Sequence, residues 1–266
     1  MLDQLLHLFI YGAIALFLIF TLTWLIQLKT KNAAIVDSVW AASFPILALI
    51  YFLQSSSSAF RNVMFLSMVL VWGMRLASYL LVRALSHAED IRYTALRKKW
   101  GNLQNILMLR FFYFQAILAL ILSLPFALIL ISPTSDLIFI EWIGIAIWII
   151  GVVGESIADA QLKKFKSNSE NQDKICEVGL WNYSRHPNYF FEWLVWTSYF
   201  MFALGSPWGW LSIISPLLIL YFLLKVTGIP NTEEQMIKSR GQTFIEYQKT
   251  TSVFIPLPKK SIVNSP

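Results

Sequence analysis

The feature that most constrains this chain is a series of long apolar runs, at 5–28, 34–53, 60–85, 106–131, 137–158, 188–204 and 208–228. Most are about as long as the roughly 20 residues a helix needs to cross a bilayer. Inside lipid every backbone N–H and C=O must find its partner within the protein, which leaves helices or closed barrels. Continuous apolar runs of this length, without two-residue alternation, select helices. Composition points the same way: 57% of residues are hydrophobic and 14% charged, against about 25% charged in a soluble domain. The expectation is an all-α, polytopic membrane bundle of about seven transmembrane helices with a short cytoplasmic C-terminal helix. Residues 1–266 read as one integral membrane domain, with 230–266 a tail packed on the inner face. No Lys or Arg precedes the first run, and it is too long for a signal-peptide core, so it reads as a retained span.

The net charge of +6 is a matter of topology. Of the 21 Lys and Arg residues, all but Arg61 fall at or near one side of a seven-span arrangement. The positive-inside rule then places the N-terminus outside and the C-terminus in the cytoplasm, and no nucleic-acid partner is expected. The outer connections, Ser55–Ser58 and Pro133–Asp136, are short, whereas the inner ones at 86–105, 159–187 and beyond 230 are long and charged. The chemistry is therefore expected on the inner side. The single cysteine, Cys176, excludes an intramolecular disulfide. His7, His87 and His186 are scattered, so no metal site is expected.

Ionisable residues inside spans cost about 2.5–3.5 kcal/mol each at mid-helix and are candidate functional residues by default. Asp37 lies near the start of the second run with Trp40 on the same face. Trp72, Arg75, Tyr79 and Arg83 follow one another at helical spacing and form one polar-aromatic stripe. Arg83 is near enough to the inner end to snorkel; Arg75 lies two turns deeper. Glu155 and Asp159 form a like-charged pair one turn apart that calls for a nearby cation.

The segment 179–192 is the most informative. Pro187 suits the first turn of a helix, whose free N–H groups favour an anion. Arg185 and His186 stand just ahead of it, Asn188 and Glu192 share one face, and Trp181, Tyr183 and Tyr189 supply flat surfaces. Such a grouping suits a phosphorylated, planar cofactor. Further on, Gly228-Ile-Pro230 stops the last run, Thr232 with Gln235 forms a capping-box pattern, and Gly241 suits a helix end.

Taken in order, Asp37…Trp40, Trp72-Gly-Met-Arg75, Glu89-Asp-Ile-Arg-Tyr93, Glu155…Asp159-Ala-Gln161, Gly179 through Tyr189 with its Ser-Arg-His-Pro-Asn-Tyr block, Gly228-Ile-Pro230 and Tyr247 through Pro256 resemble the bacterial branch of the steroid 5-alpha-reductase superfamily, the DUF1295 group. The resemblance implies a seven-helix bundle in the bacterial inner membrane. It also implies NADPH bound from the cytosol and reduction of an activated C=C bond in a hydrophobic, steroid-like or other lipid enone. By resemblance Arg75, Tyr79, Arg83, Glu155, Asp159, Trp181, Tyr183, Arg185, His186, Asn188, Tyr189 and Glu192 line the cofactor, and Arg240 and Tyr247 close over it. Trp72 stands where steroid reductases carry a catalytic Tyr, and Asp37 stands in for their Glu. Phe191 replaces a Gly usual in relatives, which narrows the pocket. The Arg-His-Pro-x-Tyr block also occurs in S-adenosylmethionine-dependent membrane methyltransferases of the isoprenylcysteine carboxyl and phospholipid types, which is the alternative reading. No Gly-x-Gly-x-x-Gly occurs, so no Rossmann domain is expected.

Overall fold

The computed structural model describes residues 2–55, 59–86 and 88–260. Residues 56–58 of the expected outer turn, and His87, fall outside them. Among the described residues, six helical stretches are long and apolar enough to cross a membrane: Leu2–Thr30, Ile35–Gln54, Phe60–Ser86, Ile91–Leu130, Phe139–Ser167 and Gly209–Arg240. The helix at the sixth apolar run, Pro187–Ala203, has 17 residues, the lower limit for a span. These apolar helices fit an integral, multi-pass membrane protein in a lipid bilayer. The contacts divide the chain into two compact units.

Unit one comprises Met1–Phe139 with Ala203–Ser212. It holds α1 (Leu2–Thr30), α2 (Ile35–Gln54), α3 (Phe60–Ser86), α4 (Ile91–Trp100), α5 (Gln104–Leu122) and α6 (Leu124–Leu130). The fourth run was expected as one helix; it is broken at Ser123 because Pro125 cannot donate to the ladder. Pro45 is accommodated inside α2 by a glycine opposite: a Cβ on Gly73 would lie 2.5 Å from the proline ring. The core is aromatic, with Phe44, Phe65, Trp72 and Phe126 fully buried. Arg61 is also fully buried and donates to Ile129 O at 3.1 Å and Ser206 Oγ at 2.6 Å.

Unit two comprises Ile140–Phe202 with Ile213–Pro266. It holds α7 (Phe139–Ser167, entering at Ile140), α8 (Pro187–Ala203), α9 (Ile214–Tyr221), α10 (Ile229–Arg240) and α11 (Gln242–Thr250). Gly144, Gly151 and Gly154 line the face of α7 that α8 approaches, close enough that a Cβ on Gly151 would meet Phe191 O at 3.0 Å. After α9 the backbone widens into a π-helical turn over Phe222–Val226. Pro187 does open α8, as expected, and Gly241 ends α10 with φ 56°. The capping box at Thr232 is not formed. Pro230 starts the helix earlier, so Thr232 lies inside it and its hydroxyl donates to Gly228 O at 2.9 Å. The single C-terminal helix expected is two, joined at Gly241.

Candidate functional site

In unit one the Glu89-to-Arg97 segment ties four helices together. Asp90 caps α4 by accepting from Arg92 N. Its carboxylate also pairs with Arg92 and with Arg83, each at 2.9 Å. Burial alone would raise Asp90, but the hydrogen bond and charge of Arg92, with help from Arg83, hold it below the usual carboxylate value. Arg97 bonds Glu89 and reaches Gln27 of α1 at 2.7 Å, while Glu89 also accepts from Ala33 N at 2.7 Å. Asp37, in the first turn of α2, accepts from the Tyr93 hydroxyl at 2.5 Å and from Arg92 at 2.8 Å.

Asp37 and Trp72 are not brought together. Trp72 is fully buried and packs on Phe44 with ring centroids 5.7 Å apart. Phe44 lies two turns, about 10 Å, along α2 from Asp37. On α3, Arg75 and Tyr79 are half-buried, and Arg83 is exposed where it meets Asp90. Tyr93 and Arg92, the partners of Asp37, were not singled out as site residues. Their signal was a basic-aromatic pair beside an acidic pair in one five-residue segment.

In unit two the candidate residues converge on the start of α8. Gly179 adopts φ 58°, and a Cβ there would run into the Gln161 amide, whose Oε1 accepts from Leu180 N at 2.9 Å. That anchors a short 3₁₀ turn on which buried Trp181 donates Nε1–H to Ala158 O at 2.9 Å. Tyr247 of α11 in turn donates its hydroxyl to Trp181 O at 2.5 Å. The chain after α11 then runs back along residues 183–186. Arg185 N donates to Ser252 O at 2.8 Å, Ser184 Oγ to Phe254 O at 2.8 Å and Leu257 N to Tyr183 O at 3.0 Å.

Arg185 sits at the centre. Its Nε donates to Glu233 Oε1 at 2.7 Å, and its Nη1 donates to Thr251 O at 2.6 Å and Gln248 O at 3.1 Å. His186 Nε2 lies 3.1 Å from the same Glu233 oxygen, and Gln248 Nε2 donates to the other at 2.7 Å. Burial pushes the His186 imidazole below its ordinary value, against the pull of Glu233. The His186 ring stacks on Tyr189 at 5.4 Å, nearly parallel at 6°. Glu233, a residue of the polar helix α10, is thus the hub of the cluster. What hid it is sequence distance.

Other expected residues lie in the same unit. Glu192 accepts from Trp196 Nε1 at 2.9 Å, and Glu155 and Asp159 are buried. Tyr183 is exposed. Arg240 bonds Gln172 O and lies 3.6 Å from Asp173. Among the described residues no cluster of three or more metal-ligating side chains occurs.

The family model described as "Protein of unknown function (DUF1295)" matches residues 23–251, a range that holds every candidate residue from Asp37 to Tyr247. An uncharacterized protein of Schizosaccharomyces pombe is 25% identical over 226 residues, covering 73% of this chain. The chain spans 64% of that relative's length. No solved structure matches. On the strength of a match over most of its length, the chain belongs to the DUF1295 family.

Proposed function

We propose that this protein is an oxidoreductase of the steroid 5-alpha-reductase superfamily that uses NADPH to reduce an activated C=C bond in a hydrophobic, enone-type lipid. The carrying observation is the polar cluster at the start of α8, where buried His186 stacks on Tyr189 and both are backed by α10. Several donors there suit a dinucleotide. Asn188 and Arg185 Nη2 make no hydrogen bond among the described residues. Guanidinium groups and first-turn amides match phosphate oxygens, and the stacked imidazole–phenol pair offers a flat face to a ring.

NADPH would bring the hydride. The chain's own part is to hold the reactants and to place a donor where enolate charge develops, worth roughly 3 kcal/mol. Asp37, Trp72, Arg75, Tyr79 and Arg83 lie in unit one, and their catalytic and cofactor roles rest on the family resemblance alone. The basic connections belong on the cytoplasmic side by the positive-inside rule, with the N-terminus outside.

A methyltransferase reading has one observation in its favour: buried Glu155 and Asp159 suit the sulfonium of S-adenosylmethionine better than a pyrophosphate. Calorimetry on the detergent-solubilised protein separates the two. NADPH is expected to bind, and S-adenosylmethionine to be silent. The reverse pattern would replace the reductase by the methyltransferase.

A further inference from the structure

We propose that unit one carries a binding site for the headgroup of an anionic phospholipid, formed where α1 ends and α4 passes into α5. The first observation is Arg110. From Ile106 to the end of α5 the exposed residues are Ile106, Arg110, Phe114, Ile117 and Ile121, at helical spacing that places them on one face. In a multi-pass membrane protein that stripe faces acyl chains. Arg110 stands on it about 9 Å of helix rise beyond Gln104. It makes no hydrogen bond or ion pair among the described residues. A guanidinium on a lipid-facing stripe reaches back toward the headgroups, so its natural counter-ion is a lipid phosphate.

The second observation is independent of Arg110. Arg97 donates to Gln27 Oε1 at 2.7 Å, and Trp24 Nε1 donates to Asn105 O at 2.9 Å. These bonds hold the last turns of α1 against α4 and the first turn of α5. Lys29 and Lys31 follow Gln27, and Lys98 and Lys99 follow Arg97; all four are exposed. None has an acidic partner among the described residues, because the nearby carboxylates are already engaged, Glu89 by Arg97 and Asp90 by Arg92 and Arg83. Exposed Leu22, Leu25 and Ile26 continue down α1 as an apolar wall, and half-buried Trp24 and Trp100 suit the interface.

Cations at the rim, an apolar wall below and an arginine reaching up between them fit a diacyl phosphodiester lipid with net negative charge. The general bias of basic residues toward one side explains lysines at helix ends; it does not place an arginine on an acyl-facing stripe.

Native mass spectrometry of the full chain, titrated with dioleoyl phosphatidylglycerol or dioleoyl phosphatidylcholine, tests the proposal. The wild type is expected to retain phosphatidylglycerol preferentially. Each basic residue near an anionic surface is worth about fivefold in affinity, so Lys98→Gln/Lys99→Gln/Arg110→Gln should abolish the preference. Lys259→Gln/Lys260→Gln should keep it. Arg110→Gln alone, which changes one exposed side chain, should lower retention several-fold and covers the case in which the triple variant fails to fold. Undiminished preference in Arg110→Gln overturns the site. Equal losses from the tail pair also overturn it, since they would mean general charge attraction. So does competition by inorganic phosphate that is as effective as the lipid.

Discussion

Arg185 and Glu233 meet at 2.7 Å, and through that contact the start of α8 is fastened to α10. Nη1 of the guanidinium reaches the carbonyls of Thr251 and Gln248, so the arginine of the Ser-Arg-His-Pro block is the buckle of the C-terminal strap. Its charge is largely used within the protein, leaving Nη2 as the part that can face an anion.

Arg185→Ala should therefore loosen the strap before it does anything else. Hydrogen bonds to a charged group contribute about 1.5–3 kcal/mol each, and losing several that share one side chain should cost about 3 kcal/mol. Hydrogen exchange at the amides of Arg185 and Leu257, which bond Ser252 O and Tyr183 O, should accelerate. Unchanged protection would show that the strap is held elsewhere.

His186 gives a pH dependence with a defined sign. Burial lowers its folded value, Glu233 opposes that lowering and Arg185 adds to it. The unfolded chain takes up its proton near pH 6.5, earlier than the folded one. The contribution of His186 is thus fully present above about pH 6.5 and lost progressively as pH falls from there through the folded value. Thermal melting in detergent should fall more steeply with acid for the wild type than for His186→Gln. Parallel curves would remove His186 as the titrating group.

The α7–α8 contact predicts a steric result. A Cβ on Gly154 would lie 2.3–2.6 Å from ring atoms of Phe191, so Gly154→Ala should destabilise by about 1–3 kcal/mol through overpacking. Phe191→Ala in the same chain should recover most of that, giving a coupling of opposite sign in a double-mutant cycle. Additive losses would mean that the helices separate instead of the ring yielding.

Topology is testable directly. A reporter fused at Ser135 should read as external and one after Pro256 as cytoplasmic, following the distribution of Lys and Arg. A cytoplasmic signal at Ser135 would invert the proposed orientation.

Much of the fold was legible because span length and hydropathy are local. The third run, 60–85, became α3 at Phe60–Ser86, and Pro187 opened α8 as its fixed φ requires. What was not legible depends on partners far away in the chain. Glu233 reads as one of several charges on a polar helix until it meets Arg185 and His186. Thr232 with Gln235 looks like a cap until Pro230 starts the helix first. The break at Ser123 lay in plain sight at Pro125, but an unbroken apolar run outweighed it. Asp37 was read as an ionisable group entering a span, which it is; that Tyr93 and Arg92 would reach back to it across 55 residues and more is a tertiary fact.

That pairing carries the last prediction. Asp37 accepts from Tyr93 at 2.5 Å and from Arg92 at 2.8 Å, and Arg92 keeps Asp90 as a second partner. Replacing Asp37 by Asn preserves shape while removing the charge, so the loss should be about 1–3 kcal/mol, the scale of a charge-assisted bond. Tyr93→Phe removes a single donor and leaves Arg92 in place, so it should cost about 1 kcal/mol. Because both changes act on one bond, the double variant should lose less than the sum of the two. If Asp37 serves the reaction as well as the fold, Asp37→Asn should abolish NADPH oxidation with an enone substrate while Tyr93→Phe retains most of it, at matched thermal stability. If both variants lose turnover only in proportion to their stability, Asp37 is a fastening for α4 and the catalytic group must be sought elsewhere.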